Sequence, residues 1–202
     1  MEGMLKKYGA LIAGTGVAGL NCALHLPADM QILMLSKDAA DRSDSFLAQG
    51  GICVLKSPDD FKKYFDDTMR AGHYENDPEA VELMIRSSPA LIRELVGYGV
   101  RFARDEKGNF RYTREGGHSE PRILFHDDVT GKEITSHLLS AVRSLPNVRI
   151  LERCELVDVI AKDGECFGGV VRDLASGELF PVYADATLLA AGGGGGLWGN
   201  ST

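Results

Sequence analysis

The sequence predicts an α/β fold, with a Rossmann-like parallel sheet, a three-stranded β-meander and inserted helices. Three observations predict it. Near the N-terminus, a glycine-rich turn and a helical segment connect two short apolar runs, which is the pattern of a βαβ unit. Late in the chain, three strand-like segments follow one another with only short turns between them. Glycine makes up 24 of the 202 residues, against a usual share of about 7%, and much of it is clustered.

The βαβ unit begins with a continuously apolar run at residues 8–13, as expected for a strand buried in a parallel sheet. Residues 14–19 match G-x-G-x-x-G, residues 20–26 are helical, and residues 31–35 are the second strand. In such a turn the first glycine bends the chain, the second admits a pyrophosphate and the third lets the helix pack closely. With the N–H groups of the helix N-terminus, this predicts a dinucleotide site. A tight turn without a phosphate is the alternative.

The middle of the chain is predicted to be mainly helical. Serine or aspartate followed by proline opens a helix at two positions, and a capping box at Thr130-Gly-Lys-Glu133 opens a third. The predicted helices are 57–70, 77–96 with a break near Pro89, and 130–145, and a hairpin is predicted over 100–112.

The last third of the chain is predicted to be mainly strands. A strand at 148–151 precedes the meander, and a last buried strand runs into a run of five glycines. The predicted meander strands are 156–160, 167–173 and 178–183, and the last buried strand is 187–191.

Composition excludes several classes of function. The chain is 44% hydrophobic and 25% charged, close to the average for a globular protein. Lys and Arg number 22 against 29 Asp and Glu, for a formal net charge of −7, which argues against nucleic acid or an anionic membrane as a partner. The apolar runs are far shorter than the roughly 18–20 residues that span a bilayer, and residues 1–7 lack a secretory signal. We expect a cytoplasmic protein.

The end of the second strand leaves two cofactors open. Ser36 and Lys37 stand where an Asp or Glu would accept a hydrogen bond from an adenosine ribose. A cation there suggests the 2′-phosphate of NADP, and hence an NADP-dependent reductase. Ser36 and Lys37 are equally suited to the ribose or phosphates of FAD. Residues 43–51 favour FAD, because their hydroxyls, amide and Gly-Gly backbone suit a diphosphate and a flavin edge. A surface loop is the alternative.

A further glycine pair lies at residues 113–119, Thr-Arg-Glu-Gly-Gly-His-Ser. Its backbone donors stand beside ionisable side chains, which suits a small carboxylate. A solvated charged loop is one alternative. A metal site made of His118, His126 and Asp128 is another, but it lacks recognised ligand spacing. The four cysteines form no C-x-x-C pair, and we expect buried free thiols.

Taken in order, these segments resemble the flavoprotein family that contains L-aspartate oxidase and the flavoprotein subunits of succinate dehydrogenase and fumarate reductase. The similarity covers essentially the whole chain and is far more specific than one G-x-G-x-x-G. The segments that carry it are 14–19, 35–37, 45–51, 114–122, 128–131 and 190–202. The last resembles A-T-G-G-x-G-x-L-Y-x-x-T-T-N-P, with Ala191 for Thr and Trp198 for Tyr, and Pro121-Arg122 replaces a more basic pair.

Two positions indicate the aspartate oxidase branch. Succinate dehydrogenases carry a histidine bonded to FAD five residues before the glutamine of Gln-Gly-Gly, where this chain has Asp44, so the resemblance implies non-covalent FAD. Glu115 stands where the succinate-oxidising branch has Gln. A carboxylate there pairs with the α-ammonium of aspartate and repels a bare dicarboxylate.

The resemblance implies oxidation of L-aspartate to iminoaspartate, with oxygen or fumarate reoxidising the reduced FAD and with a link to quinolinate synthase in NAD biosynthesis. It implies substrate-site roles for Glu115 and His118 and no metal. The implied FAD contacts are Gly14, Thr15, Gly16, Val17, Ala18, Gly19, Ser36, Lys37, Asp44, Ser45, Phe46, Leu47, Ala48, Gln49, Gly50, Gly51, Glu155, Leu156, Ala190, Ala191, Gly192 and Gly193.

We expect residues 1–202 to form the FAD-binding domain of a longer flavoprotein, without the capping and C-terminal helical domains, and therefore to be catalytically incomplete alone. A fumarate reductase or succinate dehydrogenase-type flavoprotein is one alternative. A non-catalytic dinucleotide-binding module, or half of a split enzyme, is another.

Overall fold

A computed structural model describes residues 7–197 and residue 199; the expectations for residues 1–6, Trp198 and residues 200–202 lie outside the described residues. The strands are β1 Tyr8–Ala13, β2 Ile32–Ser36, β3 Ile52–Cys53, β4 Ile123–Leu124, β5 Val148–Glu152, β6 Cys154–Lys162, β7 Glu165–Asp173 and β8 Leu179–Leu189. The helices are α1 Val17–His25, α2 Asp44–Leu47, α3 Phe61–Ala71, α4 Pro78–Gly97 and α5 Thr130–Arg143, with 3₁₀ turns at Pro58–Asp60 and Gly195–Leu197. The chain divides into unit 1, residues 1–46 and 138–202, and unit 2, residues 47–137.

Unit 1 contains a six-stranded sheet in the order β5-β2-β1-β8-β7-β6. The first four strands are parallel to one another, and β7 and β6 extend the sheet in antiparallel pairs. β1 pairs on both sides, with Ala10 opposite Ile32 and Ala186. Its last four side chains are buried, which explains the continuous apolar run. The predicted α/β class, with its parallel sheet and meander, is confirmed.

β8 corrects two sequence predictions. The predicted strands at 178–183 and 187–191 are one continuous strand, Leu179–Leu189, which leaves the meander and enters the parallel sheet beside β1. Tyr183 pairs with Gly168 of β7, and the next residue, Ala184, pairs with Tyr8 of β1, so the strand changes partner without a break. The expected burial of its last residues is also wrong, since Leu189 is 63% exposed.

Unit 2 contains α3, α4 and the short β3–β4 ribbon, which the sequence did not indicate. The predicted start at Ser57 is a 3₁₀ turn, and α3 itself begins at Phe61. α4 begins as predicted, with the Asp77 carboxylate accepting the N–H groups of Glu79 and Ala80. The predicted hairpin over 100–112 turns where expected, because the N–H groups of Asp105 and Arg111 donate to the carbonyls of Asn109 and Ala103, but its pairing is limited to one antiparallel bridge between Arg104 and Phe110.

The expected break at Pro89 is wrong, because α4 runs through it without interruption. Pro89 has no N–H to give the carbonyl of Ile85 one turn earlier. The hydroxyl of Ser88 donates to that carbonyl instead, at 2.7 Å, and accepts the N–H of Leu55 at 3.0 Å. Ser88 and Ile85 are buried and Leu55 is half-buried, so this single hydroxyl satisfies two backbone groups inside unit 2.

The capping box is also wrong, although α5 begins at Thr130 as predicted. The Glu133 carboxylate accepts from the backbone N–H and the Nε of Arg101 rather than from the first turn of its own helix. The Thr130 hydroxyl likewise bonds outside the helix, to Gly50 and His126. Both side chains therefore serve tertiary contacts.

All four cysteines are free, but only Cys154 is buried, whereas Cys166 is exposed. Among the described residues, no helix combines the length and apolar character needed to cross a bilayer.

Replacement of Ser88 by alanine is expected to lower the free energy of unfolding by about 1–3 kcal/mol, because it removes the partner of the buried Ile85 carbonyl and of the partly buried Leu55 N–H. Urea unfolding measures this. Ser87→Ala is the matched control: Ser87 is the exposed neighbour on the same helix, and its hydroxyl bonds only to carbonyls of its own helix. Its effect is expected to stay within about 0.5 kcal/mol. Equal midpoints for the two variants would contradict this account of Pro89.

Candidate functional site

The glycine turn of unit 1 requires glycine at its first position. Gly14 has a φ of +121°, and its N–H donates to the carbonyl of Leu35 at 2.9 Å. A Cβ on Gly14 would collide with the carbonyl oxygen of Ala190, and a Cβ on Gly19 would collide with that of Gly14. The turn therefore packs α1 tightly against β1, with β8 alongside.

Helix α1 begins three residues earlier than predicted, at Val17. Its N-cap residue is Gly16, so no side chain accepts a hydrogen bond at the cap position. The N–H of Val17 donates to the hydroxyl of Ser45 at 3.1 Å. A Cβ on Gly16 would approach the same hydroxyl to 3.1 Å. Ser45 and the α1 N-terminus thus lie together, as the predicted dinucleotide site requires.

The strand-end residues differ in accessibility. Thr15 and Ser36 are buried, and the Thr15 hydroxyl donates to that of Ser36 at 3.1 Å. The Lys37 side chain is exposed and lies 3.9 Å from the Glu155 carboxylate, which also pairs with Arg172. A carboxylate of β6 therefore lies beside the end of β2, where the sequence has no acid of its own.

The residues after β8 return to the glycine turn. Ala190 donates its N–H to Ala13, and Gly192 adopts a φ of +76°. A Cβ on Gly192 would lie 3.8 Å from the Asp44 carboxylate. Unit 1 thus assembles the predicted contacts at 14–19, 44–45 and 190–192. Leu156, also predicted as a contact, packs partly buried against the core.

In unit 2 the predicted Gln49–Gly51 segment lies against the β4 strand. A Cβ on Gly51 would collide with Ile123 and Leu124, so this position requires glycine. A Cβ on Gly50 would lie 3.3 Å from Oε2 of Glu115. The predicted cofactor segment and the predicted substrate carboxylate are therefore neighbours.

These residues line a cavity of about 480 Å³. Its lining consists of Gln49, Gly50, Thr113, Glu115, Phe125, Asp127 and Asp128. Three of the seven are acidic and none is basic, so the cavity attracts a cationic group. His118 is not among them.

His118 lies in a separate buried cluster. Its Nε2 is 3.4 Å from the thiol of Cys53, and its Nδ1 is 3.1 Å from a guanidinium nitrogen of Arg122. A guanidinium only donates, so Nδ1 accepts and the ring proton sits on Nε2, pointing at Cys53. Burial raises the pKa of the Cys53 thiol. His118 therefore supports the loop that carries Glu115 instead of lining the cavity.

Arg122 is the centre of this cluster and is completely buried. It donates to both carboxylate oxygens of Asp60, at 2.8 and 3.3 Å, and to Asp67 at 2.7 Å. Burial alone raises the pKa of Asp67, but bonds from Ser119 and Arg122 outweigh it and hold that pKa far below its ordinary value. Sequence reasoning missed Asp60 and Asp67, because their distance along the chain from Arg122 hides the pairing.

Within residues 7–197, no three His, Cys, Asp or Glu side chains gather as a metal site, so the alternative made of His118, His126 and Asp128 has no support.

The sequence profile of the FAD binding domain family matches residues 9–201. The chain is 40% identical to the L-aspartate oxidase of Clostridium perfringens, over 95% of this chain and 43% of that protein. It is 41% identical to the L-aspartate oxidase of Clostridium acetobutylicum, over 95% of this chain and 44% of that protein. The chain thus spans less than half the length of these relatives.

Two solved flavoprotein structures superpose closely on this chain. A quinol fumarate reductase FrdA from E. coli superposes with a TM-score of 0.90 at 26% identity, over 94% of this chain and 33% of that one. Sdh1 of Mycobacterium smegmatis superposes with a TM-score of 0.85 at 26% identity, over 94% and 34%. The FAD prediction is confirmed over the NADP alternative: the chain belongs to the FAD binding domain family.

Proposed function

We propose that the chain supplies the FAD-binding part of an L-aspartate oxidase, which oxidises L-aspartate to iminoaspartate with oxygen or fumarate as the final electron acceptor. The proposed setting is the cytoplasm, as the first step of quinolinate and NAD biosynthesis, with quinolinate synthase as the enzyme that consumes the product. Two observations support the L-aspartate oxidase proposal. The chain has relatives about 40% identical over 95% of its length, and Glu115 lies in an acidic cavity beside Gly50.

The residues of unit 1 fit the diphosphate of FAD. Gly14, Gly16 and Gly19 sit where any larger residue would press on backbone or on Ser45, and they leave the α1 N-terminus open to an anion. Ser45 and the backbone of Gly192 and Gly193 complete the proposed contacts. Asp44 stands at the histidine position of the covalent branch, which supports non-covalent attachment.

When bound, FAD supplies the two-electron acceptor. The proposed task of this chain is to bind and orient the amino acid. The Glu115 carboxylate accepts hydrogen bonds from the α-ammonium of aspartate and so holds the α-carbon in one orientation. Oxidation removes a hydride equivalent from that carbon and a proton from the nitrogen. His118, through Cys53 and Arg122, keeps the Glu115 loop in place.

A fumarate reductase-type flavoprotein is the second candidate, favoured by the close superposition with the E. coli enzyme. Glu115 separates the two, because succinate carries no ammonium group for this carboxylate to bind.

The purified 202-residue chain, supplied with FAD, is expected to show flavin absorption bands. After denaturation these bands are expected in the supernatant, because Asp44 offers no histidine for a covalent bond. Flavin that stays with the pellet would contradict non-covalent attachment and favour the succinate dehydrogenase branch. A colourless chain that does not take up FAD would favour a non-catalytic module or half of a split enzyme.

The Glu115→Gln variant of the enzyme is expected to lose about 10- to 100-fold in kcat/KM for L-aspartate, the equivalent of one charge-assisted hydrogen bond. Steady-state turnover measures this, with succinate oxidation as the comparison, which we expect to be unchanged or improved. Glu106→Gln, at an exposed turn, is the matched control. Unchanged selectivity in Glu115→Gln would overturn the proposed role of Glu115.

A further inference from the structure

We propose that Thr130 is a positioning residue of the flavin and substrate site, which joins the Gln49–Gly51 segment to the turn at 126–128. The inference rests on the proposed function in that Gly50 and Gly51 are taken as flavin contacts. Thr130 itself lies outside the cavity lining and acts through Gly50.

Three hydrogen bonds carry this assignment. The Thr130 hydroxyl donates to the carbonyl of Gly50 at 2.9 Å and accepts the N–H of His126 at 2.9 Å. The next residue, Gly131, donates its N–H to the carbonyl of Ala48, also at 2.9 Å. Thr130 is 2% exposed, so water does not replace the two bonds of its side chain. The first turn of α5 is therefore tied to two separate segments.

The chemistry at this position requires a hydroxyl. One oxygen atom here both donates and accepts, which among small side chains only serine and threonine do. Valine has nearly the same shape but would remove the hydrogen-bond partner of the Gly50 carbonyl and of the His126 N–H, and it would thereby break the connection between the two segments. Serine keeps both bonds and loses only a methyl group.

The two tied segments both line the cavity. Gly50, beside Glu115, is part of the cavity lining, and so are Asp127 and Asp128. Asp127 has a φ of +44°, a conformation that L residues rarely adopt and that surrounding contacts have to maintain. The N–H of His126, immediately before it, is held by Thr130. One hydroxyl thus connects two segments that line the cavity.

Thr135 provides a matched control on the same helix. It is also buried, at 4% exposure, and its hydroxyl donates to the carbonyl of Gly131 at 2.7 Å, within α5. Thr135→Val therefore removes a buried hydroxyl of the same kind without touching residues 48–50 or 126–128.

The test compares Thr130→Val, Thr130→Ser and Thr135→Val in the 202-residue chain by hydrogen–deuterium exchange. Thr130→Val is expected to raise exchange about tenfold or more in peptides covering 48–51 and 126–128, since it removes the bonds that join them. Thr130→Ser is expected to restore the wild-type rates. Thr135→Val is expected to leave the exchange rates of both segments unchanged, even if it lowers the melting temperature as much as Thr130→Val does. Equal exchange in the two valine variants, or no rise in Thr130→Val, would overturn the proposal.

FAD affinity and the visible flavin spectrum give the functional readout. We expect the Kd for FAD to rise at least about fivefold in Thr130→Val, with a change in band shape, and to recover in Thr130→Ser. An unchanged Kd and spectrum would overturn the link between Thr130 and the flavin. If the wild-type chain takes up FAD but the enzyme ignores aspartate, the proposed substrate fails while the role of Thr130 stands. If the chain takes up no FAD, the exchange data still decide whether Thr130 joins the two segments.

Discussion

The close approach of the Gly14 and Ala190 backbones is the constraint on which the rest of unit 1 depends. Two parallel strands, β1 and β8, end side by side, so the two glycine-rich segments that follow them emerge at one edge of the sheet. Ligand sites of open α/β sheets form at this carboxyl edge. Any side chain at Gly14 would collide with the carbonyl of Ala190 and push the strands apart, so the two glycine-rich segments depend on each other although they lie far apart in the chain.

In unit 2, a buried cluster of charged side chains around Arg122 holds several segments together. A buried guanidinium is tolerated only when its donors are used, and Arg122 uses its donors on Asp60, Asp67 and His118. Removing one partner would leave an uncompensated buried charge, so the cluster holds the loop between Glu115 and Arg122 in one arrangement. Under the proposed function, this ion cluster holds in place the loop that carries the Glu115 carboxylate.

What the sequence predicts correctly is local. The strand Tyr8–Ala13, the glycine turn after it and the helix cap at Asp77 depend on residues within a few positions of one another, and all three are as predicted. The failures involve polar side chains that bond to a partner other than the expected one. Pro89 does not break α4 because the neighbouring Ser88 replaces the missing donor, and Thr130 does not cap α5 because its hydroxyl is used by His126 and by Gly50, which lies 80 residues earlier in the chain. The residue types at these positions are compatible with several hydrogen-bond partners, and the fold determines which one is used.

The cavity of unit 2 is negatively charged, and this sign determines which group of a substrate the cavity can recognise. Glu115, Asp127 and Asp128 repel carboxylates, and the nearby buried cation, Arg122, is already neutralised by Asp60 and Asp67. A dicarboxylate therefore gains nothing from this cavity, whereas an α-ammonium gains a charge-assisted bond. Aspartate and succinate differ by that one group. Under the proposed function, discrimination between them rests on the acidic wall and on the bonds that hold it in place, while the carboxylates of the substrate require cations outside the Arg122 cluster.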